Sequence, residues 1–202
     1  MDFITRLLGK NGVSIWRYAN GLDTSRVMPC DFTPPVKSIG HGITCTSDLL
    51  NHEEVYRVLL ELSQEVGLKL RKQNLAATVK IAVRDNTLAY REYQCRLNFP
   101  TQSYTEISRA GYDLFRKRHS WNADIRSLTI SAINLVPGDT PIQLNLWSDF
   151  ERHKKRLKLE ETVDDIRCRF GLQSINFAAL SSGLKIPSHR EVEYKMPSVM
   201  YQ

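Results

Sequence analysis

The residue types that usually carry reaction chemistry are present but do not assemble. His41, His52, His119, His153 and His189 are scattered, with no H-E-x-x-H spacing, so no helix-borne zinc site is spelled out. Neither "GLKLRKQ" nor "LGKNG" has the G-x-x-x-x-G-K-[ST] spacing of a phosphate loop. Asp164-Asp165 lies in a charged helical stretch. Two-metal nucleotidyl transfer needs carboxylates on adjacent strands, because both ions must bridge the incoming phosphates, and no strand-like segment carries such a pair. Cys30, Cys45, Cys95 and Cys168 form no C-x-x-C pair and read as reduced thiols. The expectation is a chain with no catalytic residue, no metal ligand and no cofactor of its own.

Binding chemistry is better represented. "TPIQLNLWSDFERHKKR", Thr140 to Arg156, places Leu144, Leu146 and Trp147 beside Gln143 and then turns abruptly charged. Those apolar residues are out of place in a solvated linker and too few for a core element. Either they pack back on the sheet edge or the tail helix, or they bind something else. Lys and Arg total 28 against 22 Asp and Glu, a formal net charge of +6. That surplus permits a polyanionic partner without proving one. No run of about 18 apolar residues exists to span a bilayer, and "MDFITRLLGKNG" lacks the pattern of a secretory leader. A cytoplasmic monomer with no membrane partner is expected.

The elements that would position these groups follow from periodicity. Residues 3–20 read as the end of one helix, a Gly9/Gly12 turn and a short second helix stopped by Gly21. "RVMPCDFTPPV" (26–36), with its three prolines, is a linker. "KSIGHGITCT" (37–46) is strand-like. Residues 51–73 are a helix with an Asn51/Glu54 capping box and Val55, Val58, Leu59, Leu62 and Val66 on its buried stripe. "ATVKIAVRD" and "AYREYQCRLNF" alternate on either side of Asp85-Asn86-Thr87 and form a hairpin. Residues 103–119 are a second helix, capped by Ser103 and Glu106, with Ile107, Ala110 and Leu114 inward. "DIRSLTISAINLV" (124–136) is the last strand. A tail helix over 151–171 carries Leu159, Val163, Ile166 and Phe170 at helical spacing, with Gly171 as its stop. The last thirty or so residues are expected to be poorly ordered or a loose wrap.

The order β-α-β-β-α-β specifies an α+β fold: a four-stranded antiparallel sheet with two helices on one face, a helical N-terminal remnant and a helical C-terminal tail. The divisions expected are 1–25, a linker at 26–36, the domain at 37–136 and a tail at 137–202. The other face of the sheet stays open, and Lys80, Arg84, Arg96 and Arg126 are the candidates to line it. Between 37 and 136, fourteen Lys/Arg stand against ten Asp/Glu, and cations on a bare sheet neutralise phosphates and release counterions. Whether Tyr93, Cys95, Leu97 and Phe99 are the core set of their strand or a stripe on the open face is left open by the pattern. RNA-recognition domains share this strand order, but "AYREYQCRLNF" lacks the glycines of their signature strand. An acylphosphatase-like enzyme would need a basic phosphate loop, and "HGITCTSDL" offers none.

"KSIGHGIT", followed by Asp48-Leu49 and a long helix, resembles the start of the little-finger domain of bacterial DinB/UmuC-type Y-family translesion DNA polymerases. "LGKNGVSIWRYANGLDTSRV" is similar to the end of that family's thumb, "LNFPTQSYTEISRAGYDLFRK" to the start of the domain's second helix, and "IRSLTISAINLVP" to its closing strand. "QLNLW" falls where bacterial members carry a sliding-clamp peptide, with Trp147 in place of the usual Phe, and "VDDIRCRFG" resembles the family's tail helix. The resemblance covers roughly residues 3–171. It implies a non-catalytic C-terminal piece of a DNA polymerase active in DNA damage tolerance and the SOS response, its palm and Mg2+ lying before Met1. It implies primer-template DNA and the bacterial sliding clamp as partners. Lys37, Ser38 and Gly40 would meet phosphate at the start of the first strand, and Arg126 and Ser127 at the start of the last. Lys80, Arg84, Arg91 and Arg96 join them from the alternation and the hairpin. Leu146 and Trp147 would anchor the clamp peptide, with Leu144 secondary and Gln143 at the pocket rim. A free-standing βαββαβ nucleic-acid-binding or protein-interaction module is the alternative.

Overall fold

The computed structural model describes residues 2–32, 34–138, 140–141, 150–181 and 183–187. By contacts the chain divides between Pro35 and Val36 into two units. The first holds α1 (Asp2–Leu8) and α2 (Lys10–Ala19). Gly9, at φ +58, makes the turn between them. Gly12, expected in that turn, lies inside α2. A Cβ there would run into the Ile4 carbonyl, so this glycine lets the two helices touch rather than letting the chain bend.

The second unit is a single sheet with its helices. Its strands are β1 (Ser38–Leu49), β2 (Asn74–Asp85), β3 (Tyr90–Thr101) and β4 (Ile125–Pro137). They pair antiparallel in the order β1-β4-β2-β3. Helix α3 (His52–Gln73) links β1 to β2, and α4 (Tyr104–Arg118) links β3 to β4. Each crossover skips one strand, so the two βαβ units interlock.

The alternation in β2 decides which face the helices cover. Val79, Ile81 and Val83 are buried, as are Leu128, Ile130 and Ala132 of β4. Val55, Val58, Leu59, Leu62, Val66 and Leu70 of α3 close on them, with Ile107, Leu114 and Phe115 of α4. Gly111 permits the approach of α4, since a Cβ there would stand 2.8 Å from Ile130 Cδ1. The register of β3 is settled by its partners: Cys95 lies opposite Val79 and Tyr93 opposite Ile81. Tyr93, Cys95, Leu97 and Phe99 are therefore the helix-side set. Between β2 and β3, Asp85 Oδ1 accepts hydrogen bonds from Thr87 N, Thr87 Oγ1 and Ala89 N.

The helix caps agree with the sequence in one case and depart from it in the other. Glu54 N donates to Asn51 Oδ1 at 2.9 Å, and the Glu54 carboxylate accepts from Leu50 N at 2.7 Å. At α4, Ser103 Oγ accepts from Glu106 N, but Glu106 does not return the bond. Its carboxylate turns instead to Thr101 Oγ1, His153 and Arg156.

His153 and Arg156 belong to α5 (Phe150–Phe170). Only part of its apolar spacing turns inward: Leu159 is 64 % and Phe170 75 % exposed, while Val163 and Ile166 are half-buried. The residues it buries are His153 and Glu160, because the surface it meets is the hydrogen-bonding start of α4 rather than the core. Beyond Gly171, at φ +95, the chain wraps the domain. Leu180 is buried, Leu184 and Ile186 pack on the core, and Thr46 N of β1 donates to Lys185 O at 3.1 Å.

Candidate nucleic-acid interface

The uncovered face of the sheet is built in four cross-strand rows. The registers align Ser38, Ile133, Thr78 and Arg96; then Gly40, Ser131, Lys80 and Gln94; then Gly42, Thr129, Ala82 and Glu92; then Thr44, Ser127, Arg84 and Tyr90. Glycines and hydroxyls floor the β1/β4 half, and longer polar side chains stand on the β2/β3 half. The result is a shallow depression of about 490 Å³ lined by Ser38, Gly40, Gly42, Thr44, Ser127, Thr129 and Ser131, with Arg84 and Tyr90 among its walls.

The two glycines have a steric reason. A Cβ on Gly40 would collide with Ser131 Oγ, and one on Gly42 with Thr129 Oγ1. Those hydroxyls lean over β1, so a larger residue there would push them up and fill the depression. The strand backbone thus stays within reach of an approaching ligand.

The cations differ in how free they are. Lys80 Nζ lies 3.1 Å from Glu92 Oε1, which also accepts from Tyr90 Oη at 2.6 Å. Those bonds, Tyr90's first, hold the Glu92 carboxyl below its usual value, and the same contact raises the Tyr90 hydroxyl. Arg84 stands over the Tyr90 ring, 5.6 Å from its centre. Arg96 is exposed on the same face, and Lys37 is exposed just ahead of β1.

The sequence-derived set divides accordingly. Ser38, Gly40, Lys80, Arg84, Arg96 and Ser127 share the open face. Arg91 does not: it pairs with Val83, a buried helix-side residue, and the strand's alternation places it on that side. Arg126 does not join the rows either. It sits at a register shift between β2 and β4 and is tied to Asp48 at 3.2 Å, at one end of the sheet. Gln143, Leu144, Leu146 and Trp147 lie outside the described residues. Sequence reasoning missed Gly42, Thr129, Ser131 and Tyr90. The signal was present as two-residue spacing, Gly40/Gly42 in β1 and Ser127/Thr129/Ser131 in β4, in phase with Lys80 and Arg84.

Among the described residues no group of three or more His, Cys, Asp or Glu comes together to hold a metal ion. No helix among the described residues is long and apolar enough to cross a membrane.

A family model for the impB/mucB/samB family C-terminal domain matches residues 36–146. The chain belongs to that family. Its match takes in the whole sheet, both covering helices and the open face, and ends before α5. Among curated relatives, DNA polymerase IV of Acetivibrio thermocellus is 39 % identical over 175 residues, which are 86 % of this chain and 44 % of the relative. DNA polymerase IV of Clostridium kluyveri is 31 % identical over 189 residues, 88 % of this chain and 46 % of the relative. The chain thus spans less than half the length of these relatives. Among solved structures, a Y-family DNA polymerase chimera superposes with a TM-score of 0.50 at 13 % identity, covering 67 % of this chain and 38 % of the other. That likeness is one of fold.

Proposed function

We propose that this impB/mucB/samB-family chain is a non-catalytic DNA-gripping part of a Y-family translesion DNA polymerase, with a sliding-clamp peptide at Gln143–Trp147. The observation that carries the reading is the open face. One side of the sheet is packed by helices. The other presents a low floor of Gly40 and Gly42, a row of hydroxyls at Ser127, Thr129 and Ser131, and Arg84, Arg96 and Lys37 around it. Backbone amides, hydroxyls and guanidinium groups are the donors that contact phosphate and sugar without reading bases. Such a surface fits a duplex of any sequence, which suits a polymerase that must accept damaged templates. Phosphoryl transfer and its Mg2+ would come from a palm outside these 202 residues.

For the clamp peptide, Leu146 and Trp147 would each contribute about 1.5–3 kcal/mol on burial. Ordering a free peptide offsets part of that, so affinity on the order of micromolar is expected.

The test has two arms. Binding to primer-template DNA should weaken steeply with salt and show little sequence preference. Binding to a bacterial sliding clamp should be lost in Leu146→Ala/Trp147→Ala while DNA binding is retained. DNA binding without any clamp binding would favour a free-standing nucleic-acid module, and loss of both in the unmodified chain would sink the proposal.

A further inference from the structure

The first turn of α4 is an anion receptor, and its occupant is a carboxylate from elsewhere in the chain. Glu160 of α5 is 2 % exposed. It accepts from Ser103 Oγ at 2.7 Å, from Tyr104 N at 3.0 Å and from Thr105 N at 3.2 Å. Arg71, at the end of α3, reaches the same carboxylate at 3.4 Å and also grips Asp164 one turn further along α5. Two features beyond the helix terminus mark this as a binding site. A carboxylate is already seated in it, and the Arg71 side chain, only 10 % exposed, carries a buried Nε with no partner among the described residues.

The α5 contact is unlike the rest of the core. Both residues that α5 buries are polar, and the larger hydrophobic residues Leu159 and Phe170 face solvent. Around the receptor, α5 adds His153 and Arg156 on Glu106, and Phe150 edge-on to Phe99 at 6.3 Å. With its apolar residues at most half-buried, a helix held this way has little of the apolar burial that makes core packing insensitive to ions and hard to open locally. Charge-assisted bonds are strong while made, but another oxyanion can replace them.

We propose that α5 is a releasable latch: the start of α4, with Arg71, is an oxyanion receptor whose resident ligand is the Glu160–Asp164 carboxylate pair of this chain's own tail helix. Docking and release therefore occur with the sheet and its core intact. This inference is independent of what the open face binds.

Amide hydrogen exchange on the whole chain tests it. In the unmodified protein, α5 amides should exchange at least tenfold faster than those of β2 and the middle of α3. Glu160→Ala should accelerate α5 at least tenfold further and leave β2 unchanged. Asp164→Asn, a milder change that does not empty the receptor, should move α5 in the same direction. Inorganic phosphate added to the Glu160→Ala protein should slow exchange at Tyr104 and Thr105 at least threefold relative to chloride of equal ionic strength. The proposal is overturned if α5 exchanges at the rate of the core, if neither substitution accelerates it, or if phosphate leaves the emptied receptor unprotected.

Discussion

Arg84, Arg96 and Lys37 are exposed at three places around the open face, and if that face grips DNA as proposed each should be worth about one phosphate. Replacing any of them with Ala should lower DNA affinity for all sequences alike and reduce the slope of log affinity against log salt by about one. Lys80 should matter less, because Glu92 already holds it at 3.1 Å. Arg91→Ala should leave both affinity and slope unchanged, since its register places it on the helix side. Titrating a labelled primer-template duplex at several salt concentrations measures all of these. Gly42 allows a different test. In Gly42→Val the new Cβ meets Thr129, so the strand or the hydroxyl must move. We expect a loss of about 1–3 kcal/mol in thermal or urea unfolding, together with weaker DNA binding from a raised floor.

The elements show where sequence patterns suffice and where they fail. Alternation in "ATVKIAVRD" correctly separated Val79, Ile81 and Val83 from Lys80 and Arg84, because a sheet covered on one face enforces a two-residue period. The same period left β3 undecided. Its helix-side residues are only half-buried at a sheet edge, so composition alone could not choose between its faces. Helix α5 misled for the opposite reason. Its apolar spacing is real, but its partner surface is a helix terminus that takes charge, and periodicity cannot see the partner. The cost of that charge is legible in pH. Burial pushes the Glu106 carboxyl up, yet hydrogen bonds from His153 and Thr101 and the Arg156 guanidinium outweigh it and hold it below its ordinary 4.5. Its stabilisation is therefore present above 4.5 and lost as pH falls through the lower folded value. Glu160 runs the other way. Burial raises it against the bonds from Thr105, Ser103 and Tyr104 that its carboxylate accepts. Arg71 and Asp164 complete the charges around it. Through Glu106, docking of α5 should weaken as the solution is acidified. Glu106→Gln should abolish the acid-side loss while costing about 1.5–3 kcal/mol of docking at neutral pH. Intrinsic-rate-corrected hydrogen exchange of α5 from pH 3 to 8 reads both effects.

For the whole domain, the interlocked βαβ pair and the open face were legible because element order and the alternation of β2 were enough to place them. The return of the tail to the domain was legible only as one of two alternatives, since nothing in residues 172–187 repeats and the partners of Lys185, at Thr46, Asp48 and Glu54, lie more than a hundred residues earlier. That return closes one side of the sheet. Lys185 accepts from Thr46 through its carbonyl, and its ammonium reaches Asp48 O and the Glu54 carboxylate, each at 2.9 Å. The strap therefore covers the far end of β1 at Thr46 and Asp48, part of the margin at which an unpaired strand would invite another chain. A version cut after Gly171 should still form the sheet but should self-associate as its concentration rises, seen as growing light scattering and a concentration-dependent sedimentation coefficient. A soluble, monomeric truncation would contradict this. On this expectation the strap at Lys185 would blunt one end of the sheet against pairing with other copies.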